Sequence, residues 1–198
     1  MGVKIFPADL YPSDMELDLE FNNLVFTSPA TNKEQFKRRP GERWVLKFSY
    51  NDLEMDEAKQ LHGFLLGLEG VLGEFLVPDF AFYERKGGVT GQPRVDGNDN
   101  QGNLCKIKDC PPNRLLFAVG DYVKIGNRLH MLREEVRSDS SGKAVLNFVP
   151  RMLRVPSANS NIIYDDFTIT CRLKDDRQGR RKSRDMIHNF SFEAVEVL

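Results

Sequence analysis

Along residues 14–27, DMELDLEFNNLVFT, apolar and acidic positions alternate. Met15, Leu17, Leu19 and Phe21 fall on one face, and Asp14, Glu16, Asp18 and Glu20 on the other. A period of two predicts a half-buried strand, broken by Ser28-Pro29. Residues 31–43 are polar and end in KRRPGER, where Pro40-Gly41 predicts a turn and the basic residues around it a loop. Residues 44–50, WVLKFSY, put Trp44, Leu46 and Phe48 on one strand face, with the sole tryptophan as a core anchor. The period then changes. Leu61, Phe64, Leu65 and Leu68 share a stripe at helical spacing over 56–68. Asp56 and Glu57 suit the positive end of that helix, and Gly70 suits its stop. Residues 71–77 predict a strand closed by Pro78-Asp79.

Residues 115–150 read as a meander. Tyr122–Ile125 and Arg128–Leu132 flank Gly126-Asn127, a two-residue hairpin turn. After the polar loop 138–142, Ala144, Leu146 and Phe148 alternate with Val145, Asn147 and Val149. Residues 165–173 and 186–197 predict two further strands, and Phe190, Phe192 and Ala194 place the last one inside the main sheet. Between the two halves, 84–102 (ERKGGVTGQPRVDGNDNQG) holds five glycines and almost no large apolar residue. It reads as a linker or mobile loop opening a second module. The pattern predicts a mainly β protein: an antiparallel β-sandwich or barrel from 1–83 plus 165–198 with helix 56–68 packed on it, and a small inserted β module over 84–164.

Composition narrows the function classes. The 198 residues carry 28 basic and 29 acidic side chains. That balance argues against electrostatic capture of nucleic acid. No apolar run reaches the length of a membrane span, and the acidic N-terminus lacks the features of a signal peptide. Three cysteines, an odd number, point to reduced thiols in a cytoplasmic setting.

Candidate chemistry is sparse. Cys105 and Cys110 sit at the edge of zinc-site spacing, but Cys171 and His188 are distant, so three partly buried thiols are the simpler reading. A Cys–His hydrolase drawn from Cys171, His188 and Asp175 would need an exposed, activated thiolate, and a mid-strand cysteine offers none. Gly87-Gly88 has no helix after it to make a phosphate cradle, and His62 has no second ligand at i+4. The expectation is therefore no catalytic, cofactor-binding or metal residue.

Several stretches carry a resemblance in the same order along nearly the whole chain: PGERWVLKFSYNDLEMDEAKQLHGFLLGLEG with FLVPD, GDYVKIGNRLHML, SDSSGKAVLNFVP, and the ending FSFEAVEVL. Together they resemble the distal tail proteins (minor tail proteins) at the tail tip, or baseplate, of long-tailed bacteriophages. The resemblance implies a tail-tube-like β-sandwich and a homohexameric ring in the virion tail, assembled in the host cytoplasm. Its implied partners are the tail tube protein, the tape-measure protein and the central hub or fibre, with no sequence-specific nucleic acid. In such a ring the stripe Asp14, Glu16, Asp18 and Glu20 is either a solvated strand face or the lining of a negatively charged lumen. Two basic segments would reach a neighbouring subunit's acidic face: Lys37, Arg38, Arg39 and Arg43, and Arg180, Arg181, Lys182 and Arg184. The alternatives are a carbohydrate-binding tail-tip module using Phe80, Phe82 and Tyr83, and, less favoured, a cell-wall hydrolase.

Overall fold

The long strand Arg43–Leu53 organises the first of two large sheets. Its alternate residues Leu46, Phe48 and Tyr50 are fully buried. On one side it pairs with His188–Glu196, which sets Phe192 opposite Phe48 and Ala194 opposite Leu46. On the other it pairs with Asp14–Glu20, which sets Met15 opposite Phe48 and Leu17 opposite Leu46. Residues directly opposite in an antiparallel pair share a face, so these apolar side chains form one continuous surface. Beyond His188–Glu196 come Ile169–Leu173, Glu74–Val77 and the short edge strand Lys4–Ile5, the last joined in parallel. The computed structural model describes residues 2–7, 9–78, 85–179, 181–182 and 188–198.

The single α-helix among the described residues, Met55–Leu66, covers the apolar face. A capping box closes its N-terminus, the side chains of Glu54 and Glu57 satisfying each other's backbone N–H groups. Asp56 and Glu57 occupy the first turn, as the sequence predicts. The helix ends at Leu66, two residues before the predicted boundary, and Gly70 (φ 69°) follows in a 3₁₀ turn. Ala58, Leu61 and Leu65 are buried. Phe64 sits edge-on to Phe6 (5.1 Å) and Phe75 (5.7 Å), while Phe48 stacks on Phe192 at 4.7 Å. Burying each such side chain contributes on the order of 1.5–3 kcal/mol.

The second sheet has six strands, in the order Ile162–Ile163, Tyr122–Ile125, Arg128–Leu132, Ala144–Val149, Leu104–Lys108 and Arg94–Val95. The predicted hairpin 122–132 forms with its turn at Gly126 (φ 62°). One face is a cluster that includes Cys105, Ile107, Val123, Leu132, Leu146 and Phe148. Leu115–Phe117 pairs separately with Val136–Arg137.

The fold is mainly β, antiparallel in nearly every pairing, with one α-helix. No described helix is long and apolar enough to cross a membrane. Two compact units divide the chain: Met1–Asn22, Glu42–Phe80 and Thr168–Leu198 in one, Asn23–Gly41 and Ala81–Phe167 in the other. Residues 23–41, placed in the main sandwich by the sequence pattern, group with the second unit.

The patterning fails at three places. Residues 14–27 are two strands, Asp14–Glu20 and Asn23–Thr27, and Phe21 between them is half exposed rather than part of the apolar face. Residues 31–43 are not one loop: Glu34–Arg38 is a strand paired with Asn23–Thr27, and Arg43 opens the long central strand. The glycine-rich stretch is also more structured than a linker. Val89 and Val95 are buried, and Asn100 ties its loop together by donating to Asp96 and Gly97 carbonyls and accepting from the Lys106 N–H (2.7 Å).

Candidate assembly surfaces

The acidic stripe lies on the outward face of the edge strand Asp14–Glu20, where all four carboxylates are exposed. The register sets them opposite Ser49, Lys47, Val45 and Arg43 of Arg43–Leu53, and three are ion-paired with this strand. Lys47 Nζ lies 2.7 Å from Glu16 and 2.9 Å from Asp18, and Arg43 Nε lies 3.0 Å from Glu20. The hydrogen bonds that the Lys47 ammonium donates to Asp18 and then to Glu16 push its pKa upward. Arg43, predicted to reach a neighbouring subunit, is thus paired within its own unit. Lys47, which the sequence reading did not single out, partly neutralises the stripe. Its signal was available: a lysine between the apolar Leu46 and Phe48 of the WVLKFSY strand.

The other basic residues separate. Lys37 and Arg38 belong to the strand Glu34–Arg38, with Arg39 just beyond, and all three are exposed. Arg181 and Lys182 form a short strand paired with Asn189 and His188. Arg180 and Arg184 lie outside the described residues, as do Phe80, Phe82 and Tyr83.

The hairpin Asn23–Thr27/Glu34–Arg38 is the most distinctive surface. It is a two-stranded sheet of its own. Every residue of Glu34–Arg38 is exposed, and only Leu24 of the other strand is partly covered. Val25 pairs with Phe36 and carries one face; Leu24 and Phe26 carry the other, opposite Lys37 and Gln35. Val25 is 49% exposed, Phe26 54% and Phe36 73%. A lone two-stranded hairpin is marginal in water, and the exposed Val25–Phe36 pair adjoins on one face, the start of a contiguous apolar patch of the kind that marks contact surfaces. Little in the pattern warned of it, because the alternation in EQFKR is too short to rise above a charged loop.

All three cysteines are buried. Burial pushes Cys105 to about 12 and Cys110 to about 11, and it raises Cys171 further, with Glu196 adding to the effect. Thiols so held stay protonated, and the thiolate is the nucleophile and metal ligand. Cys171 lies in one unit and Cys105 and Cys110 in the other. Among the described residues no group of three or more His, Cys, Asp or Glu is placed to hold a metal ion. No family model matches the sequence, and no curated protein matches it.

Proposed function

We propose that this protein is a self-assembling structural subunit, a ring-forming distal tail protein of a bacteriophage tail tip that joins the tail tube to the central hub or fibre. The observation that carries this reading is the hairpin Asn23–Thr27/Glu34–Arg38, whose exposed Val25, Phe26 and Phe36 leave a surface best satisfied by another subunit. Two features support it. Among the described residues Asp14–Glu20 ends its sheet with an unpaired edge seven residues long, a template for pairing that an assembly covers. The ordered resemblance to distal tail proteins supplies the ring, the hexameric number, and the tube, tape-measure and hub partners.

The ion pairs on Asp14–Glu20 change the mechanism of contact. Carboxylates already held by Lys47 and Arg43 offer less to a neighbour's cations, so apolar burial by the hairpin leads and Lys37, Arg38 and Arg39 orient it. Exposed pairs contribute only about 0.2–1 kcal/mol each.

Sedimentation of wild type beside Val25→Ser/Phe36→Ser and Arg38→Glu/Arg39→Glu tests this. The first variant is expected to shift the protein towards monomer at every salt concentration. The second is expected to weaken assembly mainly at low salt, where charges are least screened. Unchanged assembly in the folded Val25→Ser/Phe36→Ser variant would remove the hairpin from the interface.

A further inference from the structure

Two strand edges in this chain match each other row by row. Among the described residues Asp14–Glu20 has a strand on one side only, Arg43–Leu53. Glu34–Arg38 likewise pairs only with Asn23–Thr27. Within one chain the two edges stay in separate sheets. Each also divides by face. Met15, Leu17 and Leu19 are half-buried on the helix-covered side of the first sheet, and Asp14, Glu16, Asp18 and Glu20 are exposed on the other. On the hairpin, Phe36 shares its face with Val25, while Gln35 and Lys37 lie on the opposite face.

Charge picks out one register between these edges. Asp14 is the one carboxylate of the stripe without an ion pair among the described residues. Lys37 is exposed and, among the same residues, is not ion-paired either. Antiparallel pairing that sets Lys37 opposite Asp14 also sets Phe36 opposite Met15 and Gln35 opposite Glu16. Residues directly opposite share a face, so the row Phe192–Phe48–Met15 of the first sheet then continues through Phe36 to Val25. A shift by two residues is poorer. It sets Lys37 opposite Glu16, which Lys47 already holds at 2.7 Å, and brings the Arg38 cation opposite Met15 on the apolar face. Glu34 falls opposite a leucine in either register, Leu17 or Leu19, and does not choose between them. Parallel pairing with Lys37 opposite Asp14 carries Phe36 past the end of the strand, to Ser13.

We propose, resting on the self-assembly read above, that Glu34–Arg38 of one copy adds as an antiparallel strand to the Asp14–Glu20 edge of the next, with Lys37 on Asp14 and Phe36 on Met15. Main-chain pairing of this kind satisfies both open edges at once. It also gives the hairpin the further strands that a two-stranded sheet lacks. The two patches differ, so the contact is heterologous, and a rotation that closes turns it into a ring.

Charge exchange, read by sedimentation at low salt, tests the register. Asp14→Lys or Lys37→Glu alone is expected to raise the concentration needed for assembly by about two- to fivefold, the effect of one exposed pair. Asp14→Lys/Lys37→Glu in the same chain is expected to restore it, and Asp18→Lys/Lys37→Glu is not. Cross-linking reads the contact directly. The three native cysteines are buried, so Glu16→Cys/Gln35→Cys treated with a short thiol cross-linker is expected to give a ladder of covalent oligomers, and either single variant none. If the variants assemble but Glu16→Cys/Gln35→Cys gives no ladder, or if the charge exchange restores nothing, this contact falls while self-assembly through the hairpin stands. A ladder from either single cysteine variant would likewise overturn it, by showing like edges in contact. Wild type that stays monomeric at every concentration sinks both.

Discussion

Asp121 is fully buried, and its carboxylate accepts the backbone N–H groups of Lys86 (3.2 Å), Gly87 (3.0 Å) and Ala118 (2.9 Å). Gly87 is held so close that an added Cβ would lie 2.1 Å from the Leu116 carbonyl oxygen and 2.5 Å from the Phe117 Cα. This clamp ties the start of the glycine-rich stretch to the meander, which explains why that stretch is ordered although its composition resembles a linker. Removing the acceptor strands covered amides at about 1–3 kcal/mol each. Asp121→Ala is therefore expected to lose roughly 3 kcal/mol or more in urea unfolding, and Asp121→Asn less, because one acceptor oxygen remains. His130 offers a pH signature. It is buried, its Nδ1 lies 2.7 Å from the Pro150 carbonyl oxygen, and burial lowers its pKa from the ordinary 6.5 to about 3, with Arg128 adding to the effect. The unfolded chain binds the extra proton between these values, so this contribution is present above pH 6.5 and is lost as pH falls towards 3. Across that window wild type is expected to take up about one more proton on unfolding than His130→Gln. Equal pH slopes would contradict the assignment.

At the scale of elements, the legible parts were those whose apolar period was long and whose ends carried chemical signals. Leu61, Phe64 and Leu65 with Asp56 and Glu57 located the helix, and Gly126-Asn127 located the 122–132 hairpin, because spacing and turn chemistry act locally. The failures share a cause. DMELDLEF alternates but Leu24 and Phe26 fall on its polar phase, and the two strands pair with different partners, a choice that periodicity alone does not make. The surface cations were equally hard to read: Arg43 and Lys37 look alike in KRRPGERWVLK's neighbourhood, but only register shows that Arg43 answers Glu20. Phe48, fully buried and stacked on Phe192, belongs to the part that patterning does find. Phe48→Ala is expected to cost about 3–5 kcal/mol through the cavity it leaves. The hairpin Asn23–Thr27/Glu34–Arg38 has no such core. Its amides are expected to exchange with solvent rapidly in the monomer and to gain protection on assembly. Slow exchange in the monomer would show that the hairpin is stable without a partner.

At the scale of the molecule, two units combine a helix-covered sheet and a six-stranded sheet with an exposed hairpin and an open edge strand, near-neutral overall charge and buried, protonated thiols. The proposed assembly rests chiefly on the hairpin meeting a second copy. Electron imaging of the purified protein at high concentration tests this most directly. The expected result is closed rings of one size, with the hairpin Asn23–Thr27/Glu34–Arg38 at each junction between subunits and Val25 and Phe36 covered there. Rings joined elsewhere with the hairpin still exposed to solvent, or particles that remain single at all concentrations, would contradict it.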